Sequence, residues 1–249
     1  MKQYFYKLLV EYDGAEFCGW QIQPGRRTVQ GELRKFIEIY THQPIKLVGA
    51  GRTDSGVHAV GQVCSISLNA DFPPEELLYR LNCMLPRDIG IRKISRAPSD
   101  FDPRHWATAR TYRYFISETP RPMLRFYSYQ SHRELHIDRL NRAAKLFKGE
   151  HDFILLCKRI SRKENNNCLV YKSRWFRYGG LLIYEVTANR FLHHMVRRMI
   201  GLMLAYESAK LRLTQIKAFL NNRAEDNARF SVPACGLVLN EVTFGKVKK

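Results

Sequence analysis

Acidic residues are the scarce class in this chain of 249 residues: 23 Asp and Glu stand against 41 Lys and Arg, a formal charge of +18. Self-repulsion of that size disfavours a compact state unless a polyanion compensates it, so nucleic acid is the first partner to consider. The basic residues are spread along the chain and form neither a juxtamembrane cluster nor an amphipathic anchor, which ranks acidic lipid below nucleic acid. Long apolar runs are also missing, so no membrane association is expected. The opening MKQYFYKLLVEYDG alternates like a strand and lacks the small-residue cleavage site of a signal peptide, and the expected location is cytoplasmic. Cysteine is thin. Cys18, Cys64, Cys83, Cys157, Cys168 and Cys235 form no CxxC pair, and they read as buried thiols in a reducing compartment, not as zinc ligands or disulfides. A Gly-rich phosphate loop ending in Lys-Ser/Thr is absent, as is a second acid spaced for a metal pair or a glycosidase couple. Neither ATP nor a catalytic metal is implied.

What is present has the length for one large α/β unit or two modest domains. The turn-rich segment Ala97-Pro98-Ser99-Asp100-Phe101-Asp102-Pro103 is a natural hinge, dividing the chain into halves of residues 1–102 and 103–249. In the first half, Tyr4 to Tyr12 alternates with period two, and Thr28 can cap a helix carrying Val29, Leu33, Phe36, Ile37 and Tyr40 at helical spacing. Val60 to Leu68 reads as a strand, and Pro73-Pro74 opens a helix with Leu77, Leu78, Leu81 and Leu85 on one side. In the second half, Thr108 to Glu118 is strand-like and Asp138 to Phe147 is a helix closed by Gly149. Tyr171 to Tyr178 and Leu181 to Thr187 flank Gly179-Gly180 as a hairpin, a long helix runs from about Phe191 to Ala209, and Leu237 to Val242 supplies a last strand. The class is α/β or α+β with a largely antiparallel sheet.

One carboxylate stands out in GAGRTDSGVHAVGQV, residues 49–63. Gly49, Gly51, Gly56 and Gly61 allow close backbone approach and positive φ, so Asp54 can be presented at a loop tip leading into a strand. An Asx-turn is an equal reading of the same aspartate. Arg52 and His58 can supply the positive charge that favours an ionised carboxylate, and an ionised, partly dry carboxylate is a usable nucleophile or base. Farther on, Arg110, Tyr112 and Tyr114 alternate onto one face of a strand. Guanidinium for phosphate and phenol for base stacking suit a nucleotide, although Tyr114 reads better as core. In Phe191-Leu192-His193-His194-Met195-Val196-Arg197-Arg198-Met199, the apolar residues make a core-facing stripe. His193 with Arg197, and His194 with Arg198, are four apart and share helical faces. His132-Arg-Glu-Leu-His136 lacks the HExxH order of a zincin and reads as an ordinary polar segment.

Together these pieces resemble the A-type tRNA pseudouridine synthases, nearly end to end. The resemblance rests on Tyr12-Asp13-Gly14 with Gly19-Trp20-Gln21-Ile22-Gln23, on Gly51-Arg52-Thr53-Asp54-Ser55-Gly56-Val57-His58, and on Arg110-Thr111-Tyr112-Arg113-Tyr114. It continues through Gly149-Glu150-His151-Asp152-Phe153, Phe191 to Arg197, and Gly236-Leu237-Val238-Leu239. It implies a pseudouridine synthase fold: a mixed, mainly antiparallel sheet spanning two similar α/β halves flanked by helices. It also implies a homodimer, an RNA cleft fed by both subunits, and isomerisation of uridines 38 to 40 in the anticodon stem-loop of tRNA. Asp54 becomes the catalytic carboxylate, Tyr112 the ring against the target base, Arg197 the partner of the carboxylate and Arg52 the handler of the flipped nucleotide. Leu239 becomes an apolar wall, and Arg104, Arg110 and His58 become further substrate contacts. The reaction implied by the resemblance breaks N1–C1′ and rejoins the uracil through C5, which requires neither a redox cofactor nor a metal, so no cofactor is expected. Attack by Asp54 on C6, attack on C1′, or abstraction of a sugar proton to give a glycal all remain open. A catalytically silent paralogue that binds structured RNA is the alternative. This chain departs from the family pattern at Ser55, where alanine is usual, at His105-Trp106, and after Phe153, where Ile154 to Lys158 lack the usual aromatic. The polar stretch Lys158 to Asn167 lies where RNA contacts are expected.

Overall fold

A computed structural model describes residues 2–162, 164–224 and 228–246. The element order begins β1 (Tyr4–Tyr12), α1 (Val29–Thr41), β2 (Leu47–Gly49), β3 (His58–Leu68), α2 (Pro74–Met84), β4 (Ile89–Arg96), α3 (Pro103–Trp106) and β5 (Ala107–Ser117). It continues β6 (Tyr129–Gln130), α4 (Ile137–Ala144), β7 (Gly149–Asp152), β8 (Asn167–Tyr178), β9 (Leu181–Ala188), α5 (Met195–Glu207), α6 (Leu213–Leu220) and β10 (Leu237–Phe244). These elements form two compact units, Met1–Thr108 with Val238–Val247, and Ala109–Leu237. The mixed α/β class and the mainly antiparallel pairing match the expectation.

In the first unit β1 lies between β4 and β3, antiparallel to both, while β2 and β10 pair with opposite ends of β3. The β10 pairing is parallel and places Leu239 opposite Ala59. Alternation in β1 buries Tyr6, Leu8 and Val10 completely, and α1 buries Val29, Leu33 and Ile37. Each such aliphatic side chain contributes about 1.5–3 kcal/mol by leaving water. Thr28 caps α1 as its position suggests, its hydroxyl accepting from Gly31 N at 3.3 Å. β4 escaped the period-two reading because its alternation is broken. Register shifts where Leu9 faces Lys93 and Val10 faces Ile91, so Arg92 is an extra residue, and Ile94 returns to the core out of phase with Ile89 and Ile91.

The second unit is an antiparallel run β5-β9-β8-β7 with β6 parallel to β5. Gly179 and Gly180, at φ 60° and 72°, close the β8–β9 hairpin with the two positive dihedrals that a type I′ turn requires. The methionine stripe of α5 is core: Met195, Met199 and Met203 are fully buried, and Trp175 Nε1 donates to the Met203 thioether sulfur Sδ at 3.2 Å. Two helical expectations need correction. α5 starts at Met195 and not near Phe191, because His194 sits at φ 67° in the left-handed region and breaks the helix before it. α4 ends at Ala144, with a 3₁₀ turn over Lys145–Phe147 before Gly149 opens β7. α6, which buries Ile216 and Leu220, was not read from the sequence at all.

Candidate active site

The loop between β2 and β3 carries Asp54, and nearly every neighbour is tied down. Gln62 Nε2 donates to Gly51 O at 3.0 Å, Trp20 N donates to Thr53 O at 3.1 Å, and Ser55 Oγ donates to Phe17 O at 3.1 Å. Tyr12 OH and Thr53 Oγ1 share a buried hydrogen bond of 2.7 Å. Burial pushes the Tyr12 phenol well up from its ordinary value, so it remains a protonated hydroxyl in this bond. Val57 N donates to Asp54 O at 3.2 Å across a tight turn, and Gly56, at φ 75°, supplies the positive dihedral that such a turn needs at its third residue. Thr53, Val57 and His58 are therefore buried, Arg52 and Ser55 are exposed, and Asp54 is half-buried.

The flanking motifs act as a buttress for this loop. Gly19 sits at φ 87°, and a Cβ there would lie 2.7 Å from Thr53 O; a Cβ on Gly14 would collide with the Val57 carbonyl. Both glycines let neighbouring backbone seat directly against the acidic loop. His58 is 4% exposed, and its Nδ1 lies 3.0 Å from Gly14 N and 3.0 Å from Asp13 Oδ1. The two contacts ask for opposite states of that nitrogen, an acceptor toward the amide and a donor toward the carboxylate. In either state His58 braces the turn after β1. Leu239 is 1% exposed on β10 beside the first residues of β3, and Arg104 is exposed on α3, whose start is capped by Asp102 Oδ1 at 2.7 Å from Arg104 N.

In the second unit, Arg110, Tyr112 and Tyr114 face Ala188, Val186 and Tyr184 across the β5–β9 ladder. Tyr114 is fully buried and its hydroxyl donates to Pro233 O at 3.1 Å, a core role. Tyr112, 8% exposed, packs edge-on against Phe191 with ring centroids 5.2 Å apart. Arg110 Nη1 donates to Asn189 O at 2.8 Å. Arg197, in the first turn of α5, donates from Nε to Val232 O at 2.8 Å and accepts at its own carbonyl from Val232 N at 3.3 Å. The Nε bond holds the guanidinium, and the backbone bond ties the helical turn that carries it to the same segment. The expected sharing of helical faces by His193 with Arg197 and His194 with Arg198 does not hold, because both histidines precede the helix. His193 Nδ1 instead lies 2.9 Å from Ser161 Oγ. His136 Nδ1 is 3.0 Å from Glu207 Oε1. Burial raises the Glu207 carboxyl, but hydrogen bonds from Arg133 and His136 outweigh it and hold the group down at about 2.

Of the six cysteines expected to be buried, Cys64, Cys157 and Cys168 are, Cys18 and Cys235 are partly exposed, and Cys83 is exposed. Burial pushes the Cys64 thiol up to about 12, which makes it inert. The loop-holding set of Tyr12, Phe17, Trp20, Thr53 and Gln62, and the anchors Phe191 and Val232, were not singled out from the sequence as site residues. The signal for the first set was its place inside the glycine-flanked motifs.

Compared with known proteins, the chain matches the family described as tRNA pseudouridine synthase over residues 8–105 and 143–245. Those segments take in Arg52, Asp54, His58, Arg104, Arg197 and Leu239, while Arg110 and Tyr112 lie between them. A curated tRNA pseudouridine synthase A from Dictyoglomus thermophilum is 39% identical over 243 residues, covering 96% of this chain and 99% of its own length. Its counterpart from Chlorobium chlorochromatii is 36% identical over 234 residues, covering 94% of this chain and 96% of its own. A solved chain of a Cbf5-Nop10-Gar1 complex aligns with a TM-score of 0.30 and 11% identity over 76% of this chain and 52% of that one, a likeness too slight to weigh.

Proposed function

The chain belongs to the tRNA pseudouridine synthase family, whose members are isomerases, and from that premise we propose that it converts uridine to pseudouridine in tRNA with Asp54 as the catalytic carboxylate. The observation that carries the proposal is the construction of the 50–57 loop. Apart from exposed Arg52, its residues are hydrogen-bonded or buried, and the one acid between them is half-exposed. A group held by its surroundings meets a substrate without first losing conformational freedom.

The chemistry needs one such oxygen. Uracil leaves C1′ through N1, turns, and forms a bond from C5 to C1′. The C5 proton departs and N1 gains a proton, so atoms and electrons balance with no redox partner. The roles of Tyr112 as base platform and Arg197 as counter-charge belong to the same proposal, as do substrate contacts by Arg52, Arg104, Arg110, His58 and Leu239. The target must leave its stack, which costs a few kcal/mol. A chain of charge +18 can offset that cost through phosphate contacts. Uridines 38 to 40 of the anticodon stem-loop are the proposed positions, and a homodimer in the cytoplasm the proposed working form.

Unmodified tRNA transcripts incubated with the protein and mapped for pseudouridine test the reading. Product confined to the anticodon stem-loop is expected. Tight tRNA binding with no product at any position would instead favour a silent RNA-binding paralogue, and sedimentation of the same preparation tests the dimer.

A further inference from the structure

The turn Arg159–Ser161 presents Ile160 with 87% of its surface in water, between exposed Lys158, Arg159 and Arg162. An exposed isoleucine alone needs no explanation. This one stands on a segment anchored at both the turn and its approach. Ser161 Oγ lies 2.9 Å from His193 Nδ1, Lys158 N donates to His193 O at 3.1 Å, and Arg198 Nη1 donates to Cys157 O at 2.5 Å. Ser161 N also donates back to Lys158 O at 2.8 Å, closing the turn beneath the isoleucine. The anchor leads toward the base platform: His193 is two residues from Phe191, whose ring packs on Tyr112. An apolar tip flanked in sequence by exposed cations is a poor surface for water and a good one for a nucleic acid strand. Phosphates meet the charges, and an aliphatic side chain enters between bases.

Resting on the isomerase reading above, we propose that Ile160 is an RNA wedge: it occupies the step in the base stack that the target uridine vacates, while Lys158 and Arg159 hold the neighbouring phosphates. Ile160 is thus a positioning residue that lowers the cost of extruding the base and takes no part in bond making. Its removal should slow turnover only where the base must be unstacked.

The test uses the full chain and two stem-loop RNAs that differ in one respect, a target uridine that is paired or the same uridine opposite an abasic site. Release of tritium from C5 under single-turnover conditions is the readout. Ile160→Ala should slow the paired substrate about tenfold, equivalent to about 1.4 kcal/mol. On the unpaired substrate it should match the parent within about twofold, because an unpaired base costs less to extrude. Ile160→Leu should restore the paired rate, and Met123→Ala, at another residue that is 83% exposed, should change neither substrate. Lys158→Ala with Arg159→Ala should reduce the slope of log K against log salt by about 0.7 to 0.9 for each cation lost. Equal slowing on both substrates, or none on either, while the parent protein turns both over, would overturn the wedge alone. A parent protein inert on every tRNA would overturn the isomerase reading and the wedge with it.

Discussion

Replacing Glu207 by Gln probes how the second unit holds α5, the helix that carries Arg197. The Glu207 side chain is 1% exposed, yet it closes a charged knot at the helix C-terminus. Arg133 donates to it through both terminal nitrogens, and His136 approaches through its backbone amide at 3.2 Å and its ring at 3.0 Å. Its carboxyl is lowered from 4.5 to about 2. A depressed carboxylate contributes stability that is fully present above its unfolded value and is lost as pH falls through its folded value. The window here therefore runs from about pH 4.5 down to about pH 2. At 1.36 kcal/mol per unit the contribution at neutral pH is about 3 kcal/mol. Arg133, half in water, can recover part of this by hydration when its partner is neutralised, so about 1.5–3 kcal/mol is the expected loss in Glu207→Gln at pH 7. Glu185 behaves alike: burial raises its carboxyl, hydrogen bonds from Lys172 and Arg113 outweigh that, and the group lies at about 2. The single variant should flatten the acid limb of urea stability between pH 5 and pH 2.5, and a Glu185→Gln, Glu207→Gln double variant should flatten it further. An acid limb identical to the parent's in the single variant would refute the assignment of that stability to Glu207.

Two further outcomes follow from the acidic loop. Gly19→Ala forces a side chain into a positive-φ position 2.7 Å from Thr53 O, so a loss on the order of 1–3 kcal/mol in stability is expected, with at least tenfold slower turnover in the protein that remains folded. Turnover at the parent rate would show that the loop does not depend on this approach. Tyr12→Phe removes the 2.7 Å bond to Thr53 Oγ1, which should cost about 1 kcal/mol in thermal or urea unfolding and lower kcat more than it raises KM. A pure KM effect would place the tyrosine in binding and not in loop support.

Much of this architecture was legible because local rules and tertiary packing agree. β1 alternates without interruption, Thr28 is a good cap, and the Gly179-Gly180 hairpin has the residues its turn demands. Legibility failed where a local irregularity breaks the period. The bulge at Arg92 hid β4, and the left-handed His194 moved the start of α5, which in turn dissolved the two His–Arg helical pairs. Histidine tolerates the left-handed region better than most residues, but no local signal marks His194 for φ 67°, beside a His193 whose ring lies 2.9 Å from Ser161 Oγ. The candidate site was half legible. Asp54 stood out as an acid in a glycine-rich, basic setting, but the supports Phe17 and Trp20 lie more than thirty residues from it and look like ordinary core, and Gln62, although in the same stretch, gives no sequence sign of its bond to Gly51 O. Their role is visible only once the backbone carbonyls they meet are in place.

The most direct measurement is single-turnover tritium release from C5-labelled uridine in tRNA by the parent and by Asp54→Asn, a nearly isosteric change that keeps the loop's shape and removes the charge. The account predicts that Asp54→Asn binds tRNA and unfolds in urea as the parent does, yet releases no tritium above background. Release at a rate near the parent's, from protein shown to be folded, would contradict it.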